Sequence, residues 1–91
     1  MPFELVFTDS YRKREAKFLR RHPEEAERYF KTLLLLEQNP FHPSLRLHPP
    51  KGKLAGLSSV SISLQYRITL EFEIRDNRII PVHVGTHGGV Y

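Results

Sequence analysis

The sequence predicts an α+β domain. Two helices form an N-terminal hairpin that packs on a curved, mainly antiparallel sheet of about four strands, in the order βααβββ. Three observations predict it. Residues 9–37 carry apolar side chains at helical spacing, interrupted once at Pro23. Val60, Ile62, Leu64, Tyr66, Ile68, Leu70, Phe72 and Ile74 are apolar, and every residue between them is polar, which is the period of a half-buried strand. Asp76–Asn77 then offers a tight turn before "RIIPVHV" returns. The 91 residues suffice for one domain, spanning 1–91.

"FELVF" (residues 3–7) alternates and reads as a short strand. Thr8 or Asp9 can cap a first helix through "YRKREAKFLRR", with Tyr11, Phe18 and Leu19 as its apolar members. Its other positions are strongly basic and should face water or an anion. The residue before a proline disfavours the helical region, so this helix should end before Pro23. Pro23 suits the first turn of a second helix, with Glu24 and Glu25 beside its positive end. Ala26, Tyr29, Phe30, Leu33, Leu34 and Glu37 follow helical spacing, and "QNP" at 38–40 ends the helix. "SLRLH" (44–48) reads as a short extra strand within a Pro- and Gly-rich connection. An unbroken strand from Val60 to Ile74 would span ~50 Å. That exceeds a domain of this size, so the chain should double back near Leu64–Gln65.

The formal net charge is +4. Residues 1–45 contribute +1 and residues 46–91 contribute +3. A basic surface suits a polyanion or an acidic partner. There is no cysteine, which removes disulfides and thiolate metal sites and fits a reducing compartment. No apolar run approaches a membrane span, and "MPFELVFTDS" does not read as a signal peptide. P-loop, dinucleotide and HExxH motifs are missing. His83 and His87 lie on a strand-to-tail path without further ligands. No metal and no cofactor are expected.

What remains suits phosphate chemistry on RNA. Arg46, His48, Lys51 and Lys53 precede the sheet, Arg67 lies on the polar face of the long alternation, and His87 and Tyr91 sit in the tail "GTHGGVY". A 2′-hydroxyl can attack its own phosphate without a metal if the protein moves protons and stabilises charge. Histidine can do either proton job. Arginine offers a fixed fork to phosphate oxygens, and tyrosine can stack on an exposed base. Read singly, each has an ordinary alternative: Arg67 as cross-strand partner of Glu71 or Glu73, His48 and the lysines as solvated loop residues, His87 as a loop residue, Tyr91 as a plug.

The stretch from Lys51 to Phe72, including "KLAGLSSVSISLQYRITLEF", together with the terminal "GTHGGVY" (Gly85 to Tyr91), resembles the RelE/ParE superfamily of toxins. The branch it is most similar to contains the RelE-like and YafQ-like mRNA interferases, often labelled plasmid stabilisation proteins. The resemblance implies a cytoplasmic toxin restrained by a cognate antitoxin, cleaving mRNA on the ribosome without a metal. It implies His87 and His48 in proton transfer, Arg67 on the phosphate, Arg46, Lys51 and Lys53 on the RNA backbone, and Tyr91 against the base. The sequence departs from the YafQ-like pattern at the sheet centre. Ser61 or Ser63, Gln65 and Tyr66 stand where those toxins carry a histidine and an acidic–tryptophan pair, and Gly88 replaces a common aspartate. Two other readings follow from the same resemblance: a non-catalytic ParE-like poison of DNA gyrase, and an inactive member that only binds its antitoxin.

Overall fold

The computed structural model describes residues 3–48 and 57–86. The element order is β1 (Glu4–Leu5), α1 (Asp9–Arg21), α2 (Ala26–Gln38), β2 (Leu57–Ser61), β3 (Tyr66–Glu73) and β4 (Arg78–Thr86). The four strands form one sheet in the order β1-β4-β3-β2. Pairing is antiparallel except for β1, which lies parallel to the start of β4. This is the βααβββ architecture that the patterning predicted.

Local chemistry explains the boundaries. Thr8 is the N-cap of α1 and accepts a hydrogen bond from the Tyr11 amide at 3.1 Å. The helix stops at Arg21, two residues before Pro23. Pro23–Glu25 forms a 3₁₀ turn, so α2 begins at Ala26 rather than at the proline. β2 and β3 are joined by a turn at 62–65, where the Ile62 amide donates to the Tyr66 carbonyl at 2.9 Å. The predicted reversal falls there, and Leu64 sits at its tip, 89% exposed. A 3₁₀ turn at Ile74–Asp76 and Asn77 at φ 53° reverse the chain into β4. Asparagine tolerates that left-handed conformation better than most residues.

Two expectations are corrected. "SLRLH" is no strand: Pro43–Leu45 is a 3₁₀ turn, Arg46 is left-handed at φ 49°, and only His48 pairs, bridging Ser59. A proline at the start and a left-handed residue in the middle cannot sustain a ladder. The buried stripe of α2 is Tyr29, Thr32, Leu33 and Leu36, whereas Phe30 and Leu34 are half exposed or more. The helix carries more apolar side chains than one face can bury.

The core lies between the helices and the sheet: Tyr11, Phe18, Tyr29, Leu33 and Leu36 meet Val60, Ile68, Leu70, Ile79 and Val84. A polar chain threads it. The Tyr11 and Tyr29 hydroxyls are 2.7 Å apart, the Tyr29 hydroxyl donates to Glu15 Oε2 at 2.7 Å, and Arg12 Nη1 donates to Glu15 Oε1 at 2.8 Å. Burial pushes both phenols well above their ordinary range, so each stays a neutral donor. Tyr29→Phe would leave Glu15 Oε2 and the Tyr11 hydroxyl without this shared partner. Denaturant unfolding should show a loss of ~1–3 kcal/mol with an unchanged slope.

Candidate nucleic-acid interface

The antiparallel pairing sorts the sheet into two faces. Tyr66, Ile68, Leu70, Val60 and Val84 face the helices. The opposite face is polar, and its rows follow from register. One row runs His48–Ser59–Thr69–His83, and the next runs Ser61–Arg67–Gly85. Residues directly opposed on neighbouring strands share a face, so two histidines, three hydroxyls and one arginine are collected by strand pairing alone. Ser59, Arg67 and Thr69 on this face are buried, where the alternation predicted solvent.

Arg67 is the centre of the cluster, only 7% exposed. Its Nε donates to Ser59 Oγ at 3.3 Å, Nη1 to Ser61 Oγ at 2.9 Å, and Nη2 to the Arg46 carbonyl at 3.2 Å. Among the described residues these three neutral acceptors, on two segments, fix the plane of the guanidinium. Glu73, a candidate cross-strand partner in the sequence, pairs with Arg78 at 3.3 Å instead.

Arg46 owes its place to backbone geometry. It closes the Pro43–Leu45 turn in the left-handed region, a conformation costing a non-glycine residue roughly 1–2 kcal/mol. That kink presents its carbonyl to Arg67 and sets its exposed side chain at the rim of a cavity of about 390 Å³. The cavity is lined by Arg28 from α2, Arg46, Arg67, Ser44, Ser61 and Ser63, with Ile62 and Leu64 as its apolar wall. Among the described residues no carboxylate lines it, although Arg28 Nη1 lies 4.0 Å from Glu25 Oε2 outside its wall. Three guanidinium groups and three hydroxyls converging on one hollow make a site for an anion with several oxygens. His48 is exposed on the neighbouring row, held by a pair of backbone hydrogen bonds with Ser59 at 2.8 and 3.1 Å.

The structure thus brings together Arg46, His48 and Arg67 of the predicted set. Lys51, Lys53, His87 and Tyr91 lie outside the described residues. The sequence reading passed over Arg28, Ser44, Ser59 and His83 as site members. For Ser59 and His83 a signal existed: each has the parity of Arg67 once strands are paired. For Arg28 and Ser44 there was none, because only packing brings them to the sheet. Of the positions that depart from the YafQ-like pattern, Ser61 holds Arg67 and Ser63 lines the cavity. Tyr66 faces the helices, its hydroxyl 3.2 Å from His22 Nδ1.

His83 lies over Gly85: a Cβ at that glycine would stand 3.2 Å from His83 Nε2. Burial, and then the Arg14 guanidinium, hold its imidazole below the ordinary histidine range, so it is neutral at pH 7. Among the described residues no three His, Asp or Glu side chains are grouped to hold a metal, and no helix is long and apolar enough to cross a membrane.

Neither a protein-family profile nor a curated protein matches the chain. Solved structures do, over almost their full length. A copper-bound mutant toxin from Helicobacter pylori superposes with a TM-score of 0.77 at 20% identity, covering 98% of this chain and 99% of that one. YafQ in the E. coli DinJ–YafQ toxin–antitoxin complex gives 0.76 at 15% identity, covering 100% and 99%. The YoeB/ParE toxin from Agrobacterium tumefaciens gives 0.74 at 22% identity, covering 93% and 99%. The fold is therefore that of the RelE-like toxins.

In an NMR pH titration His83 should titrate below the ordinary value of about 6.5, and Arg14→Gln should move its midpoint part of the way back. Because the unfolded chain takes up this proton more readily, stability should decline as the pH falls from 6.5 through the folded midpoint. His83→Gln should flatten that part of the stability–pH curve.

Proposed function

We propose that the chain is the toxin of a type II toxin–antitoxin pair and acts as a metal-independent endoribonuclease on mRNA, in the cytoplasm and on the ribosome, until a cognate antitoxin covers it. One observation carries this reading. Arg67 is locked in a polar cluster beside a cavity where Arg28, Arg46 and three serines converge with no carboxylate among the described lining residues. That is a preformed cradle for a phosphodiester. The shared fold with toxins such as YafQ, crystallised as a toxin–antitoxin complex, supports the partner.

In this mechanism the RNA 2′-oxygen attacks phosphorus while its proton passes to a base, and the P–O5′ bond breaks as an acid protonates the leaving oxygen. The products are a 2′,3′-cyclic phosphate and a 5′-hydroxyl. Arg67 stabilises charge on the phosphorane oxygens, an interaction strongest in the transition state. His87 leads the proton transfer with His48 as its partner. Arg46, Lys51 and Lys53 hold the RNA backbone, and Tyr91 stacks on a base. His87 follows Gly85 by two residues, and Gly85 stands opposite Arg67.

Induction in a bacterium lacking the antitoxin, with mRNA 5′ ends mapped within minutes, tests the reading. New ends within translated messages should appear for the natural chain and disappear for His87→Ala. Arg67→Lys, which keeps the charge and loses the fork, should cut cleavage by about 10²–10³-fold. Growth arrest with intact messages and a DNA-damage response would instead assign the gyrase activity, and no toxicity would leave only antitoxin binding.

Arg46→Gly separates fold from function. Glycine adopts the left-handed conformation without strain, so unfolding free energy should change by no more than about 1 kcal/mol. RNA binding, measured by fluorescence anisotropy, should weaken because one cavity cation is gone.

A further inference from the structure

A second basic hollow, of about 370 Å³, lies between α1 and the outer half of β4. β1 pairs only with Arg78 and Ile79, so among the described strands none flanks β4 there. Arg14, Lys17 and Arg21 line the hollow from α1, and His83, Gly85 and Thr86 line it from β4. The three cations are spaced i, i+3 and i+7, which sets them on one helix face. All three are exposed. None takes part in an ion pair among the described residues, although α1 also carries Asp9 and Glu15. Among the described residues no carboxylate lines the hollow.

The floor of this hollow is built by a defect in the sheet. The register shifts between Thr69 and Leu70, so that Thr69 faces His83 and Leu70 faces Pro81. Val82 is left over as a bulge, and Arg14 Nη1 donates to its carbonyl at 3.2 Å. The bulge thus tethers one cation of the row to the strand edge. Gly85 is shared: it lines this hollow and is the cross-strand neighbour of Arg67. Thr69, buried on β3 between Ser59 of β2 and His83 of β4, has no hydrogen-bond partner for Oγ1 among the described residues.

We infer that the α1–β4 groove is a second nucleic-acid subsite, which binds the sugar–phosphate backbone of the RNA strand leaving Arg67. This rests on the reading of the Arg67 cluster as a phosphate site. Gly85 favours RNA over an acidic protein: it lines the groove and stands directly opposite Arg67, which lines the other hollow, so the two sites are one strand pair apart along a path a single RNA strand can follow. Arg14 to Arg21 span about 10 Å of helix, the length of about three stacked nucleotides. His83, neutral amid cations, serves as a hydrogen-bonding group toward a phosphate or ribose oxygen. An anion placed there would raise its protonation midpoint against burial and against Arg14, Lys17 and Arg21 on α1 and Arg67 on β3.

The test uses the full chain and a short single-stranded RNA with 2′-O-methyl riboses, which cannot be cleaved. Affinity is measured by anisotropy across a salt series for the natural chain, Arg67→Ala, and the triple variant Arg14→Gln/Lys17→Gln/Arg21→Gln, with melting curves to confirm folding. Losing three phosphate contacts should lower the slope of log affinity against log salt by about 2. The His83 resonance should shift toward the protonated form when RNA is added. An unchanged slope in the triple variant, with Arg67→Ala impaired, would sink the groove and leave the Arg67 reading intact. A reduced slope in the triple variant, with Arg67→Ala unimpaired in binding, would keep the groove and remove the Arg67 reading. Loss of affinity for a purified acidic antitoxin alone, with RNA binding untouched, would reassign the groove to protein and overturn the proposal.

Discussion

The buried guanidinium of Arg67 is the constraint around which the polar face is arranged. Removing such a group from water costs several kcal/mol unless its donors are met. Here they are met by two serines of β2 and by the carbonyl of Arg46. The serines must be two apart on β2, which fixes register with β3: a slip by one residue would turn both toward the core. The carbonyl must come from a chain that turns back sharply, which demands a left-handed residue at 46. Strand register, the 43–48 connection and the cavity wall are therefore coupled through one side chain. Strain at Arg46 persists because the surrounding contacts determine it.

The helical layer supplies the rigidity this arrangement needs. Its aromatic contacts are dense: Phe18 meets Tyr29, His22 and Tyr66 with centroids 5.1–6.0 Å apart. The Tyr11–Tyr29–Glu15 chain joins the two helices by hydrogen bonds inside that apolar layer. By contrast, the ion pairs of Arg78 with Glu4, Glu73 and Asp76 lie on the surface at 3.3–3.9 Å. Exposed pairs of this kind contribute little, ~0–1 kcal/mol each; they tidy the β1–β4 corner and do not hold the fold.

The bulge in β4 has effects on both faces. Pro81 lacks an amide hydrogen and would break a regular central ladder. Placed next to the irregularity, opposite Leu70, it is buried without that penalty. The extra residue keeps His83 on the same face as Arg67 while Val84 returns to the core. The same irregularity gives Arg14 its acceptor at Val82. One backbone defect thus reconciles a proline, a core valine and a polar histidine on a single strand.

By itself the sequence determined the element order, the two-layer class and the turns. Those depend on local periodicity, on Pro23 and on the Asp76–Asn77 turn, and such forces act within a few residues. It determined Arg67, His48 and Arg46 as candidates by residue type. It did not reveal that Phe30 and Leu34 fall outside the core, because a helix's buried face is chosen by what packs against it. Nor did it reveal that the polar face is partly buried, or that Arg28 and Ser44 join the cavity. The tertiary structure decided those points, together with the Val82 bulge and the place of His83. Each depends on strands and helices far apart in the chain meeting in one register, and side-chain patterning within a segment carries no record of its neighbour's.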